Sequence, residues 1–148
     1  MQHTGMVHAL SEAQRVLRRG ALLVDLRPLL DRWPIEVASP AGRREAGHAT
    51  DLPEPLADDA AANAAMAEAG ASGQWNRELQ EAFPLIYYWD TPDEMREYVT
   101  EEWSDVIGVD EAVWRALRSA WATAEAQARV CLRMKMLITR YRRLLADP

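Results

Sequence analysis

Residues 129–141 read RVCLRMKMLITRY, and this stretch decides the fold. Val130, Leu132, Met134, Met136 and Ile138 occupy every second position; Arg129, Cys131, Arg133, Lys135, Leu137 and Thr139 fill the other parity. A period of two sends alternate side chains to opposite faces, so the stretch predicts a long strand with one buried face. Such a strand needs partners. Residues 21–27 (ALLVDLR) and 83–90 (FPLIYYWD) are the best candidates. The first is almost continuously apolar, the pattern of a strand covered on both faces, and Pro28, which lacks a ladder donor, ends it. The second is rich in β-branched and aromatic residues, with Pro84 suited to a strand start or an edge.

Outward from these strands, Ser11, Glu12, Ala13 and Gln14 form a capping box, with a start nearer Val7 as the alternative. Leu10, Ala13, Val16 and Leu17 share one face of that helix, and Gly20 suits its C-cap. Residues 34–38 (PIEVA) read as a short strand. Residues 39–55 mix glycine, proline and charge and read as a loop, with a weak strand near 44–49. Asp58 or Asp59 caps an alanine-rich helix that runs to Ala69 and stops at Gly70. Residues 75–82 fit helix or strand equally. Thr91 as N-cap, Pro92 at the first helical position and Glu94 at the third give the clearest helix start in the chain. Asp110 opens another helix, with Val113, Trp114, Leu117, Ala120 and Trp121 as its apolar stripe. The fold class expected is α+β in a single domain, 1–148: a small mixed β-sheet with helices packed mainly on one face.

With 148 residues, 49% of them hydrophobic, the chain is long enough to bury a real core. Its net charge of −6 argues against duplex nucleic acid as a partner, because that binding draws on a broad basic surface. Cys131 is the only cysteine, which rules out an internal disulfide and fits a reducing compartment. No apolar run approaches the ~18–20 residues that cross a bilayer, and the first residues lack a signal-peptide pattern. No membrane association is expected, and the cytoplasm is the expected location. His3, His8 and His48 lack metal-site spacing, and neither a nucleophile elbow nor a phosphate-binding glycine loop is present.

Residues 9–28, ALSEAQRVLRRGALLVDLRP, resemble part of a class I S-adenosylmethionine-dependent methyltransferase, in which a helix reading like ALxEAxRVLRPGG precedes a buried strand. Glu12, Ala13, Arg15, Val16, Leu17, Arg18 and Gly20 match; Arg19 and Ala21 depart from the pattern. Residues 89–95 (WDTPDEM) are similar to a helix start in the same family's C-terminal region. The resemblance implies the C-terminal half of a Rossmann-like fold, with its reversed last strand lying between 21–27 and 83–90. The family's cofactor-binding features are a glycine-rich turn after the first strand and an acid ending the second, and no Gly-x-Gly occurs here. The isolated chain is therefore expected to take no cofactor. S-adenosylmethionine is implied only if a partner chain supplies the missing half.

Two places carry candidate substrate-binding residues. Asp25 and Arg27 stand at the carboxyl end of a strand, where open α/β sheets gather their sites; the plainer role is an ion pair that orients the next turn. Tyr87, Tyr88, Trp89 and Asp90 form an aromatic run ending in a carboxylate, suited to a flat or cationic ligand; the plainer role is core packing. Catalytic residues are not assigned. Six tryptophans exceed what so small a sheet needs, which points to an interface. The leading functional expectation is a non-catalytic, methyltransferase-like domain. It would act by self-association, as a homodimer, or by complementing a separate cofactor-binding chain. The alternative is a small enzyme or ligand binder using residues 87–90.

Overall fold

The computed structural model describes residues 3–29 and 32–144. In chain order they form α1 (His3–Val16), β1 (Leu22–Pro28), β2 (Trp33–Ser39), β3 (Gly42–Asp51), α2 (Pro53–Ala71), β4 (Trp75–Trp89), α3 (Pro92–Glu102), β5 (Ile107–Gly108), α4 (Glu111–Ala122) and β6 (Arg129–Arg143). The architecture is α+β, with a six-stranded antiparallel open sheet ordered β1-β6-β2-β3-β5 and β4 also paired to β6. As expected, β6 pairs with both β1 and β4. The sheet is antiparallel rather than mixed, and a Rossmann-like methyltransferase half is not supported. That fold rests on parallel strands joined by helical crossovers, whereas β2 and β3 here form a tight antiparallel hairpin, and β2 returns antiparallel onto β6.

The chain divides into two compact units, to which β4 and β6 both contribute. The first holds α1, β1, α2, β4 as far as Phe83 and β6 from Met136. Its core is built on Met66, Trp75 and Tyr141, with Leu10, Leu17, Leu23 and Ala69 packed around them. Gly20 has a positive φ of 77°, which favours glycine, and its N–H donates to Arg143. The helix itself ends four residues earlier, at Val16.

The second unit holds β2, β3, the rest of β4, α3, β5, α4 and the first part of β6. Ile35 lies opposite Leu132 and Val37 opposite Val130, and all four are buried. Gly47, opposite Ile35, touches α4 so closely that a Cβ there would lie 2.7 Å from Val113 Cγ2, with φ at 151°. Trp114, Leu117 and Ala120 bury the expected stripe of α4, while Asp110 holds the N-cap position without a side-chain hydrogen bond.

Several local expectations change. The supposed loop 39–55 is mostly β3 followed by the start of α2, and the weak strand read near 44–49 lies within β3. Backbone pairing with β2 holds this glycine- and arginine-rich segment extended, which its side-chain pattern does not announce. Helix α2 begins at Pro53, whose fixed φ suits a first helical turn, so Asp58 and Asp59 lie inside the helix. Residues 75–90 become one 15-residue strand as far as Trp89. Residues 30 and 31, between β1 and β2, lie outside the described residues.

The cap at Thr91 forms as expected. Thr91 Oγ1 accepts the Glu94 N–H at 3.2 Å, and the Glu94 carboxylate accepts the Asp90 N–H at 3.0 Å. Thr91→Ala should therefore cost about 1 kcal/mol, read as a lower urea midpoint with unchanged slope; an unchanged midpoint would show that the cap contributes nothing.

Candidate functional site

Strand β1 has two unlike faces. Leu23, Asp25 and Arg27 are partly buried, while Leu22, Val24 and Leu26 are 45%, 56% and 56% exposed. The expectation of cover on both faces fails for a simple reason. Among the described residues β1 pairs only with β6, at the end of the strand order, and residues 34–38, read as a short strand, pair with β3 and β6.

The register also fixes which backbone groups are open. The Arg143 N–H donates to the Ala21 carbonyl at 2.9 Å, one step beyond the Leu22–Arg142 pair. Antiparallel ladders alternate, so residues 23, 25 and 27 bond to β6, while 22, 24 and 26 turn their N–H and C=O groups to the outer edge. Pro28, next in that series, has no N–H to offer and ends the open row.

On the opposite face of β1 lies a cleft of about 570 Å³ within the first unit, lined among others by Arg27, Asn63, Trp75, Arg77, Gln80 and Tyr141. Arg27 Nε approaches Asp25 Oδ2 at 3.2 Å, and the two side chains are only 12% and 19% exposed. The approach is not aligned as a hydrogen bond: Asp25 Oδ2 and Arg27 Nε and Nη1 are buried with no hydrogen-bond partner among the described residues. Burial pushes the Asp25 carboxyl above its ordinary range, and Arg27 offsets only part of this. Asp59 is raised in the same way, by burial opposed by Arg27.

These shifts have a sign that can be measured. A carboxyl whose folded pKa is raised makes the native state bind more protons than the unfolded chain. Asp25 and Asp59 therefore subtract from stability above their folded pKa, and the loss fades as pH falls toward the ordinary value of 3.8. Asp59→Asn should raise the unfolding midpoint at pH 7, with the gain shrinking as pH approaches 4; a lowered midpoint at pH 7 would contradict the reading.

Tyr87, Tyr88, Trp89 and Asp90 are engaged with neighbouring side chains. Tyr87 and Trp89 stack on each other at 6.1 Å and pack with Trp103, and Trp89 also packs with Tyr98. Their ring faces are thus used on one another and on α3 and its end. Tyr88 is exposed, lies under the Arg129 guanidinium at 5.4 Å and accepts from Arg43 at 3.5 Å. Asp90 pairs with Arg129 at 2.9 Å.

The sequence reading missed Glu36. It is 5% exposed on β2, opposite Cys131, and accepts from Arg43 at 3.0 Å and Arg133 at 2.9 Å. Its only signal was a carboxylate in the middle of PIEVA. Cys131 lies beside it, and burial with the nearby Glu36 charge pushes its thiol up to about 11, so it stays protonated at neutral pH. A buried carboxylate neutralised by two arginines is an ion-pair clamp between neighbouring strands, not a nucleophile's surroundings.

Compared with protein families, curated proteins and solved structures, the chain matches none. The open edge of β1 and the cleft beside it therefore have to be read from their own chemistry. Among the described residues no helix is long and apolar enough to cross a membrane.

Proposed function

We propose that this protein acts by association, two copies joining edge to edge through β1. The observation that carries the reading is the row of Leu22, Val24 and Leu26, exposed on a strand whose outer edge has no partner among the described residues. Open edges of this kind template pairing with another chain unless charge, proline or a covering segment blocks them. Here Pro28 closes only one end.

The row is also its own complement. Antiparallel pairing about a two-fold axis at Val24 sets Val24 against Val24 and Leu22 against Leu26 of the second copy. Each such pair exchanges backbone bonds through groups that β6 leaves open. On the other face the same register sets Asp25 against Leu23 and Arg27 against Ala21, so no like charges meet. An axis at Asp25 would oppose two carboxylates, which disfavours it. Main-chain bonds supply affinity and the apolar row supplies register, as in strand addition generally.

Sedimentation velocity across micromolar concentrations tests the proposal. The expected species has twice the 16.7 kDa chain mass. A monomer throughout that range contradicts it and returns weight to pairing with a different chain.

A further inference from the structure

The geometry points to a second site, independent of the strand edge: the cleft of the first unit binds a small polar ligand through a carboxylate or phosphate group. Its volume of about 570 Å³ falls within the few hundred to about 1,000 Å³ common for small-molecule sites. The charged residues that line it are both cationic, Arg27 and Arg77. Asn63 and Asn76 add side-chain amides able to donate to an acceptor, while the Gln80 amide already donates to Thr139 Oγ1 at 3.3 Å. Trp75 and Tyr141 complete the wall, and both are otherwise buried.

Arg27 makes this more than a solvated groove. Its side chain is 12% exposed, and two of its nitrogens are buried without hydrogen-bond partners. Asp25 approaches Nε without the alignment that would satisfy it, and a buried donor left unpaired is costly. Asp25 and Asp59 already lie near this guanidinium, and Nε and Nη1 are shut away from solvent, so an anion in the cleft meets Arg27 at its remaining nitrogen, Nη2. A guanidinium N–H is a charge-assisted donor to carboxylate and phosphate oxygens. Arg77 lines the same cleft as a second cation, its Nη1 donating to Gln80 Oε1 at a long 3.3 Å. Asp25 and Asp59 are not among the lining residues, so the surface offered to a ligand is rich in donors.

The full-length protein is titrated separately with inorganic phosphate and with succinate at constant ionic strength, and side-chain amide and indole resonances are followed by NMR. The expected result is a saturable shift of the Asn63, Asn76 and Trp75 side-chain signals with at least one of the two anions; which one responds identifies the ligand's acidic group. Arg27→Gln and Arg77→Gln should each weaken binding roughly tenfold or more. Arg77 is exposed, so its variant tests the idea even if Arg27→Gln fails to fold. No saturable shift with either anion overturns the inference, as does binding that Arg77→Gln leaves unchanged. Either failure leaves association through β1 standing, because Leu22, Val24 and Leu26 take no part in the cleft.

Discussion

Val24→Lys is expected to turn the protein from a dimer into a monomer at micromolar concentration. In the proposed pairing the two copies of Val24 face each other on the two-fold axis. One substitution therefore sets two ammonium groups on strands with Cα atoms about 5.5 Å apart. Like charges directly opposite destabilise strand pairing, and lysine on an open edge is a common guard against it. The apolar contact at the centre of the interface disappears at the same time. A loss of about 3 kcal/mol corresponds to more than a hundredfold in dissociation constant. The protomer itself should tolerate the change, because Val24 is 56% exposed there and substitutions at exposed sites usually stay within about 0.5 kcal/mol. Sedimentation paired with circular dichroism separates the outcomes. A folded monomer agrees with the account. A folded dimer with lysine at position 24 contradicts it.

The second large effect is expected at Glu36. Its carboxylate is 5% exposed and holds Arg43 and Arg133, whose side chains are 40% and 42% exposed. Glu36→Ala leaves two cations side by side with no counter-charge. Breaking a fully buried pair costs about 3–5 kcal/mol. The half-exposed arginines regain water, so a loss of about 2–3 kcal/mol is expected here. Glu36→Gln keeps an acceptor and should lose less. Urea unfolding of the three proteins gives the comparison, and a loss under about 0.5 kcal/mol for the alanine variant, the range of an ordinary surface change, would show that the clamp does not hold these strands.

The strands were legible where periodicity and composition agreed. Strand β6 was read within two residues of its end, because its alternation runs unbroken, and the start of α3 because Thr91, Pro92 and Glu94 each have a separate physical reason to stand there. Strand β3 was only partly legible: a weak strand was read near 44–49, and its full extent comes from pairing with β2. The core-facing side of β6 was only half legible. Val130, Leu132, Met134 and Met136 bury the even positions, but Cys131, Thr139 and Tyr141 bury odd ones as well, which a single alternating pattern does not report.

The candidate sites followed the same logic. Asp25 and Arg27 were found because charges are conspicuous in an apolar strand, and both are partly buried beside the cleft. Arg77, Asn63 and Gln80 were invisible because they come from α2 and a stretch of β4 with no pattern of its own. The aromatic run 87–90 stood out by composition, and packing with Tyr98 and Trp103 accounts for it. The resemblance to methyltransferases rested on one helix and strand, and local likeness of that length does not fix how strands pair.

The most direct test of association through β1 is disulfide formation by Val24→Cys. The two-fold register brings the two introduced thiols opposite each other at a Cα separation of about 5.5 Å, within the range a disulfide spans. The native Cys131 is buried, with its thiol held protonated, and should not compete. Under mild oxidation at micromolar concentration the variant is predicted to run as a covalent dimer on a non-reducing gel, while the same substitution at the exposed Leu79 stays monomeric. A Val24→Cys protein that remains a free thiol, or that cross-links no faster than Leu79→Cys, would contradict the account.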